Sequence, residues 1–247
     1  MADVLASLSV EEVAKFYERL AGIVEKNKGA VKTSLAAQLM REWLKNRNSK
    51  AVLALEMPDH LIDHELVIGL TKYHRKVYLT EEKTKAGSWG GIIPRWKDGR
   101  WNGVGELQMQ YESLVEFPLR YQITGSDADK DLLYSLHGFQ LRTNVGVVLV
   151  SSSNTVKTVN FSQYEARVVD RYDWDYSEHL TVPNPDYGSK EPNAVSPSTN
   201  TVVVYHKNAE RIEKAGLAAP YDIVSKPWQI TDVNIAGFGK VDVSKSI

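Results

Sequence analysis

The prevailing spacing of apolar residues differs between the two parts of this chain, and that difference limits the fold more than any other feature of the sequence. Up to about residue 75, apolar side chains recur every three or four positions. From Glu106 onward strand-like alternation prevails, interrupted by two short helical stretches. The first period belongs to helices with one buried face, the second to strands with one buried side. Ser9-Val10-Glu11-Glu12 reads as a capping box, in which the Ser9 hydroxyl accepts from the Glu12 amide and the Glu12 side chain reaches back. Val13, Phe16, Tyr17, Leu20 and Val24 follow at helical spacing, and Gly29 is a stop. A second helix is expected over about Thr33–Arg47, with Leu35, Leu39, Trp43 and Leu44 on one side, paired antiparallel with the first. After the short apolar run Ala51–Leu55, a third helical pattern carries Leu61, Leu66, Ile68, Leu70 and Tyr73.

In the alternating half, Glu106–Tyr111 and Val115–Ile123 read as paired strands, and Asp127–His137 as a short helix capped by Ser126 or Asp127. Val145–Val150, Thr155–Phe161, Tyr164–Val169 and Thr201–Tyr205 read as further strands, with a turn at Ser151–Asn154. Pro183–Asn200 holds four of the nine prolines and reads as a long, partly mobile loop. Asn208–Ala215 is a helix ended by Gly216, and the last thirty residues read as strands and turns. The expected class is α+β: a helical N-terminal region over 1–86 and a β-rich region over 87–247, built on an antiparallel or mixed sheet. The candidate boundary is Lys85–Gly105, where six glycines interleave with Trp89, Trp96 and Trp101. No Gly-Lys-Ser/Thr closes that stretch, so it is not a phosphate-binding loop. With Arg95, Lys97 and Arg100, its aromatics suit either a sugar or lipid headgroup or the edge of a core.

Composition removes several functions. The chain of 247 residues has no cysteine, which excludes disulfides, thiolate metal sites and a cysteine nucleophile. A net charge of −1 gives no basic field for nucleic acid or an anionic membrane. The N-terminus lacks the pattern of a signal peptide, and no apolar run approaches the ~18 residues of a membrane span. A role outside the producing cell therefore requires export by a non-classical route.

Chemistry concentrates in Asp170-Arg171-Tyr172-Asp173-Trp174-Asp175-Tyr176-Ser177-Glu178-His179. Period two places Asp170 and Tyr172 on one face with Tyr164, Ala166 and Val168, and an end to the strand is expected near Asp170. A turn would then gather Asp170, Asp173 and His179 at one cleft. Two adjacent carboxylates hold a hard cation such as Mg²⁺ or divide acid and base roles, and the histidine shuttles protons. Such a set suits hydrolysis of a phosphoester or pyrophosphate bond. The competing reading is a strand end with solvated charges. A second candidate is His60 with His64, four apart on the expected third helix and able to share a metal. The zinc-protease pattern needs Glu directly after the first histidine, where this chain has Leu61.

The spacing Asp170-x-Tyr172-Asp173-x₅-His179 resembles the catalytic signature of the colicin M family, antibacterial toxins with a mixed, β-rich catalytic domain. The resemblance implies that Asp170, Tyr172, Asp173 and His179 form a catalytic set that acts with Mg²⁺, Asp170 and Asp173 either binding the cation or orienting the attacking water. It implies lipid II as substrate, cleaved between the undecaprenyl chain and the pyrophosphate. It further implies action in the target cell's periplasm and an immunity protein as partner. Trp174 also fits the family's habit. The family commonly has Arg directly after the histidine; here Leu180 stands there, leaving Arg171 or Arg167 to contact the phosphate. Leu39–Trp43 and Ala215–Ala218 are loosely similar to segments of bacterial proteins associated with type VI secretion. A different class remains open: a non-catalytic interaction module, as an immunity, adaptor or structural protein, with the acidic stretch as a surface loop.

Overall fold

The computed structural model describes residues 3–78, 106–151, 157–175, 178–191, 194–230 and 240–242. The Gly/Trp stretch and most of the turn expected at Ser151–Asn154 lie outside them. In chain order the elements are α1 (Val10–Lys26), α2 (Leu35–Lys45), β1 (Val52–Leu53), α3 (Asp59–Ile62), α4 (Glu65–Tyr78) and β2 (Glu106–Glu116). There follow α5 (Tyr121–Thr124), α6 (Asp127–Ser135), β3 (Gly138–Ser151), β4 (Lys157–Tyr172), β5 (His179–Pro183) and β6 (Thr201–Tyr205). The chain continues through α7 (Lys207–Lys214), β7 (Tyr221–Val224), β8 (Trp228–Gln229) and β9 (Lys240–Asp242). The class is α+β with a mixed sheet: β1 pairs β7 in parallel, and β3 pairs β4 antiparallel. No helix among the described residues is long and apolar enough to cross a membrane.

The chain divides into two compact units, each assembled from separated segments. The first comprises Met1–Pro58, Glu116–Gly138 and Asp170–Val224. Its α1 begins with the capping box at Ser9 and Glu12 and buries Val13, Phe16, Tyr17, Leu20 and Ala21. Helix α2 buries Leu35, Leu39 and Trp43 among others. Its N-terminus is closed from a distance by Asp131 of α6, whose carboxylate accepts from the amides of Leu35 at 2.8 Å and Ala36 at 3.3 Å and from the Ser34 hydroxyl. Those donors, and the positive end of the helix dipole, explain how a carboxylate is buried there. Of the strand expected over Val115–Ile123, only Val115 and Glu116 are extended, as the end of β2. Pro118 lacks the N–H a ladder needs, its carbonyl accepts from the Tyr121 amide, and the chain coils into α5.

Between β5 and β6 the described residues, 184–191 and 194–200, form a loop, as composition implies, and polar side chains hold it. Asn184 Nδ2 donates to the carbonyls of Val195, Ser196 and Thr199, each at 2.9 Å. The buried Asp186 accepts from the Val195 amide and takes a two-point contact from Arg19 of α1 at 2.8 and 2.9 Å.

The second unit comprises Asp59–Val115, Phe139–Val169 and Ser225–Ile247. Its helical pattern is broken where one helix was expected: α3 ends at Ile62, and His64 Nδ1 accepts from the Leu66 amide at the start of α4. His60 and His64 thus do not share one helical face, and the His60–His64 metal site is not supported; His64 serves as a cap. The two strands expected at Thr155–Phe161 and Tyr164–Val169 are one strand, β4. Opposite β3, Gly146 pairs Gln163 and Val147 pairs Phe161, so Ser162 is an extra residue. That bulge shifts the apolar phase from Val159 and Phe161 to Tyr164, Ala166 and Val168, which is why the sequence reads as two strands. The fully buried His74 is matched on both nitrogens, by the hydroxyls of Thr143 and Ser113 at 2.8 Å each. Burial pushes its ring down to about 4.

Candidate active site

Strand β4 continues past Asp170 to Tyr172, two residues beyond the expected end, and its alternation sets the chemistry of the acidic stretch. Val168 and Tyr172 face inward, and Asp170 lies on their side of the strand. A carboxyl placed there loses water. Burial, aided by the neighbouring Asp173 charge, pushes Asp170 up to about 7 despite a hydrogen bond from the Arg171 amide. Within this first unit, Asp173 therefore comes close enough for Asp170 to feel its charge.

Asp173 follows the strand and its side chain is 56% exposed. Its carboxyl is also raised, by partial burial first and by Asp175 and Asp222, against the lowering effect of Arg171. Arg171 points to the opposite side of β4 from Asp170. Its guanidinium lies 2.7 Å from Asp222 and 3.7 Å from Asp173, and it reaches the Ser49 carbonyl at 3.4 Å. It remains 44% exposed, so a phosphate can still approach it. Arg167 belongs to the second unit, where its buried Nε has no hydrogen-bond partner among the described residues.

Tyr172 is a core residue. It is 8% exposed, and its ring stacks on Tyr221 with centroids 5.4 Å apart and planes 18° apart. Burial drives its hydroxyl well above the ordinary tyrosine range. Trp174 is the hub of an aromatic cluster, in edge or tilted contact with Tyr17, Trp43, Tyr172 and His206 at 5.5, 5.3, 6.1 and 5.0 Å. Trp43 Nε1 donates to Glu213 at 2.7 Å. Tyr17 Oη, Trp174 Nε1 and His206 Nε2 are buried without a hydrogen-bond partner among the described residues.

His179 opens β5, opposite Tyr205 of β6, with ring centroids 5.3 Å apart. It is exposed. Among the described residues no hydrogen bond, ion pair or ring contact joins His179 to Asp170 or Asp173. The four signature residues thus fall into three settings: a carboxylate pair, a buried tyrosine and a surface histidine. His206 is the residue that sequence reasoning missed. It stands between β6 and α7, and its ring Nδ1 lies 2.9 Å from the Asp175 carbonyl. No local motif marks it, because its partner is thirty-one residues away.

The donor set at Asp170 and Asp173 is oxygen only, which fits a hard cation such as Mg²⁺. Both carboxyls are raised, chiefly by burial, and a cation beside them would favour their charged forms. No group of three or more potential ligands occurs among the described residues, so water and substrate oxygens would complete the shell. No protein-family model matches the chain, and no curated protein or solved structure matches it either.

Proposed function

We propose that this chain hydrolyses lipid II between the undecaprenyl chain and the pyrophosphate, as an exported antibacterial toxin whose producer is guarded by an immunity protein. One observation carries the chemistry: Asp170 is poised near neutrality beside a second carboxylate at the open end of β4. A carboxyl that titrates near 7 exchanges a proton at low cost at physiological pH, so Asp170 suits proton transfer to or from the reacting oxygens. Asp170 and Asp173 are the residues that would hold Mg²⁺, which when bound neutralises pyrophosphate charge. Arg171, half-exposed and in the same unit as the two carboxylates, is the candidate phosphate contact in place of the arginine that Leu180 replaces. His179 is the second proton carrier, and Tyr172 supports the site from within the core.

The test is incubation of the purified protein with labelled lipid II, with Mg²⁺ or with EDTA, followed by product chromatography. The expected result is release of the pyrophosphoryl sugar product with Mg²⁺ only, abolished in Asp173→Ala and His179→Ala. Absence of product from folded protein with Mg²⁺, or full activity of both variants, overturns the assignment.

The non-catalytic interaction module is a second reading, favoured by the burial of Tyr172, the packing of Trp174 within an aromatic cluster and the separate setting of His179. In that reading the acidic stretch completes a core. Leu119 and Ile123 of the same unit, 63% and 85% exposed, then belong to a contact surface.

A further inference from the structure

His206 grips the acidic stretch at two points. Its backbone amide donates to the Glu178 carbonyl at 3.0 Å, and its ring Nδ1 meets the Asp175 carbonyl at 2.9 Å. The Glu178 amide donates to the same Asp175 carbonyl at 2.9 Å. A carbonyl only accepts, and Nδ1 must therefore carry the proton. In the neutral ring the lone pair is then on Nε2, which is buried and unpartnered among the described residues. Covered in this way, Nε2 is closed to a substrate, and any influence of His206 runs through Asp175 and Glu178. The ring is also braced edge-on against Trp174, 5.0 Å away at 76°, and the residue sits at a strand–helix junction.

We propose that His206 is a positioning residue: its two hydrogen bonds hold the carbonyls of Asp175 and Glu178, and so the placement of the neighbouring Asp173 and His179. The catalytic consequence rests on the function proposed above; the structural one does not. Asp175, Glu178 and His179 are the charged and titratable groups that act on the His206 ring. Burial outweighs the two acids and holds the ring below its ordinary value, which keeps the single-proton form and its Nδ1–H bond in place at neutral pH.

The experiment compares His206→Asn with His206→Gln in the full chain. An asparagine amide nitrogen takes the place of Nδ1, whereas a glutamine amide extends to the place of Nε2 and gives up the bond to Asp175. Amide hydrogen exchange over 173–179 is the first readout. His206→Gln should speed exchange there about tenfold, the scale of one hydrogen bond, while His206→Asn stays within about threefold of the native chain. Native exchange in His206→Gln, or equally fast exchange in both variants, overturns the proposal. If His206→Gln does not fold, His206→Asn decides alone: native exchange supports the proposal and fast local exchange overturns it. Lipid II turnover is the second readout, with kcat lowered in His206→Gln, restored in His206→Asn, and KM unchanged. A native chain without turnover removes the catalytic reading, and the positioning role is then decided by hydrogen exchange.

Discussion

Asp170 and Tyr172 share one face of β4, two residues apart, and burial affects them differently. Tyr172 gains a stacked partner in Tyr221 at 5.4 Å. Asp170 loses water and is pushed up to about 7. The strand accepts both, but only the tyrosine is at ease there.

Asp170 therefore costs stability at high pH. Its folded value lies above the unfolded 3.8, so the folded state binds more protons between about pH 4 and 7 and stability falls across that window as pH rises. Asp170→Asn removes the effect. Thermal unfolding at pH 8 should show Tm raised by about 4 °C or more, with little change near pH 4. The same variant should lose turnover of lipid II by about 100-fold or more, as loss of a general acid or base does. Activity of the native chain should show a titration limb near pH 7, absent in the variant.

Tyr172 separates packing from chemistry. Tyr172→Ala should lower unfolding free energy by about 3–5 kcal/mol, the cost of deleting a buried aromatic ring. Tyr172→Phe keeps the stack on Tyr221 and should unfold in denaturant with a midpoint close to the native one. Loss of lipid II cleavage in folded Tyr172→Phe would give the hydroxyl a direct role in the reaction.

Asn184 should control the loop it organises. Asn184→Ala leaves the carbonyls of Val195, Ser196 and Thr199 without their shared donor. A loss of about 1–3 kcal/mol is expected. Limited proteolysis should cut the variant between residues 184 and 200 under conditions that leave the native chain intact.

His74 should make the second unit sensitive to acid. Its folded value, about 4, lies below the unfolded 6.5, so the folded state binds fewer protons and stability falls as pH drops from about 6.5 to 4. His74→Gln, which keeps polar atoms near Thr143 and Ser113 but does not titrate, should flatten this dependence in denaturant titrations at pH 4.5 and 7.

What was legible in the sequence was local. The capping box at Ser9 and Glu12 and the cap at Ser126 each join residues three apart, and both stand where the motif placed them. Alternation around Tyr164 to Tyr172 was equally legible and put Asp170 on the inward side. The bulge at Ser162 broke that pattern and concealed a single strand. Relations over long separations left no pattern to read: Asp131 caps a helix ninety-six positions away, and His206 holds the Asp175 carbonyl thirty-one positions before it. The signature spacing grouped four residues by position, whereas packing sorted them by polarity, sending Tyr172 into the core and His179 to the surface.

The bulge at Ser162 also makes the length of β4 a heritable constraint. Losing one residue between Ser162 and Asp170 would exchange the two sides of the strand's end, turning Arg171 inward and Asp170 and Tyr172 outward. Losing two would restore the sides while shortening the strand. Among descendants of this gene, changes of length within that segment should therefore survive in pairs, with the acidic pair kept in phase with the tyrosine that anchors it.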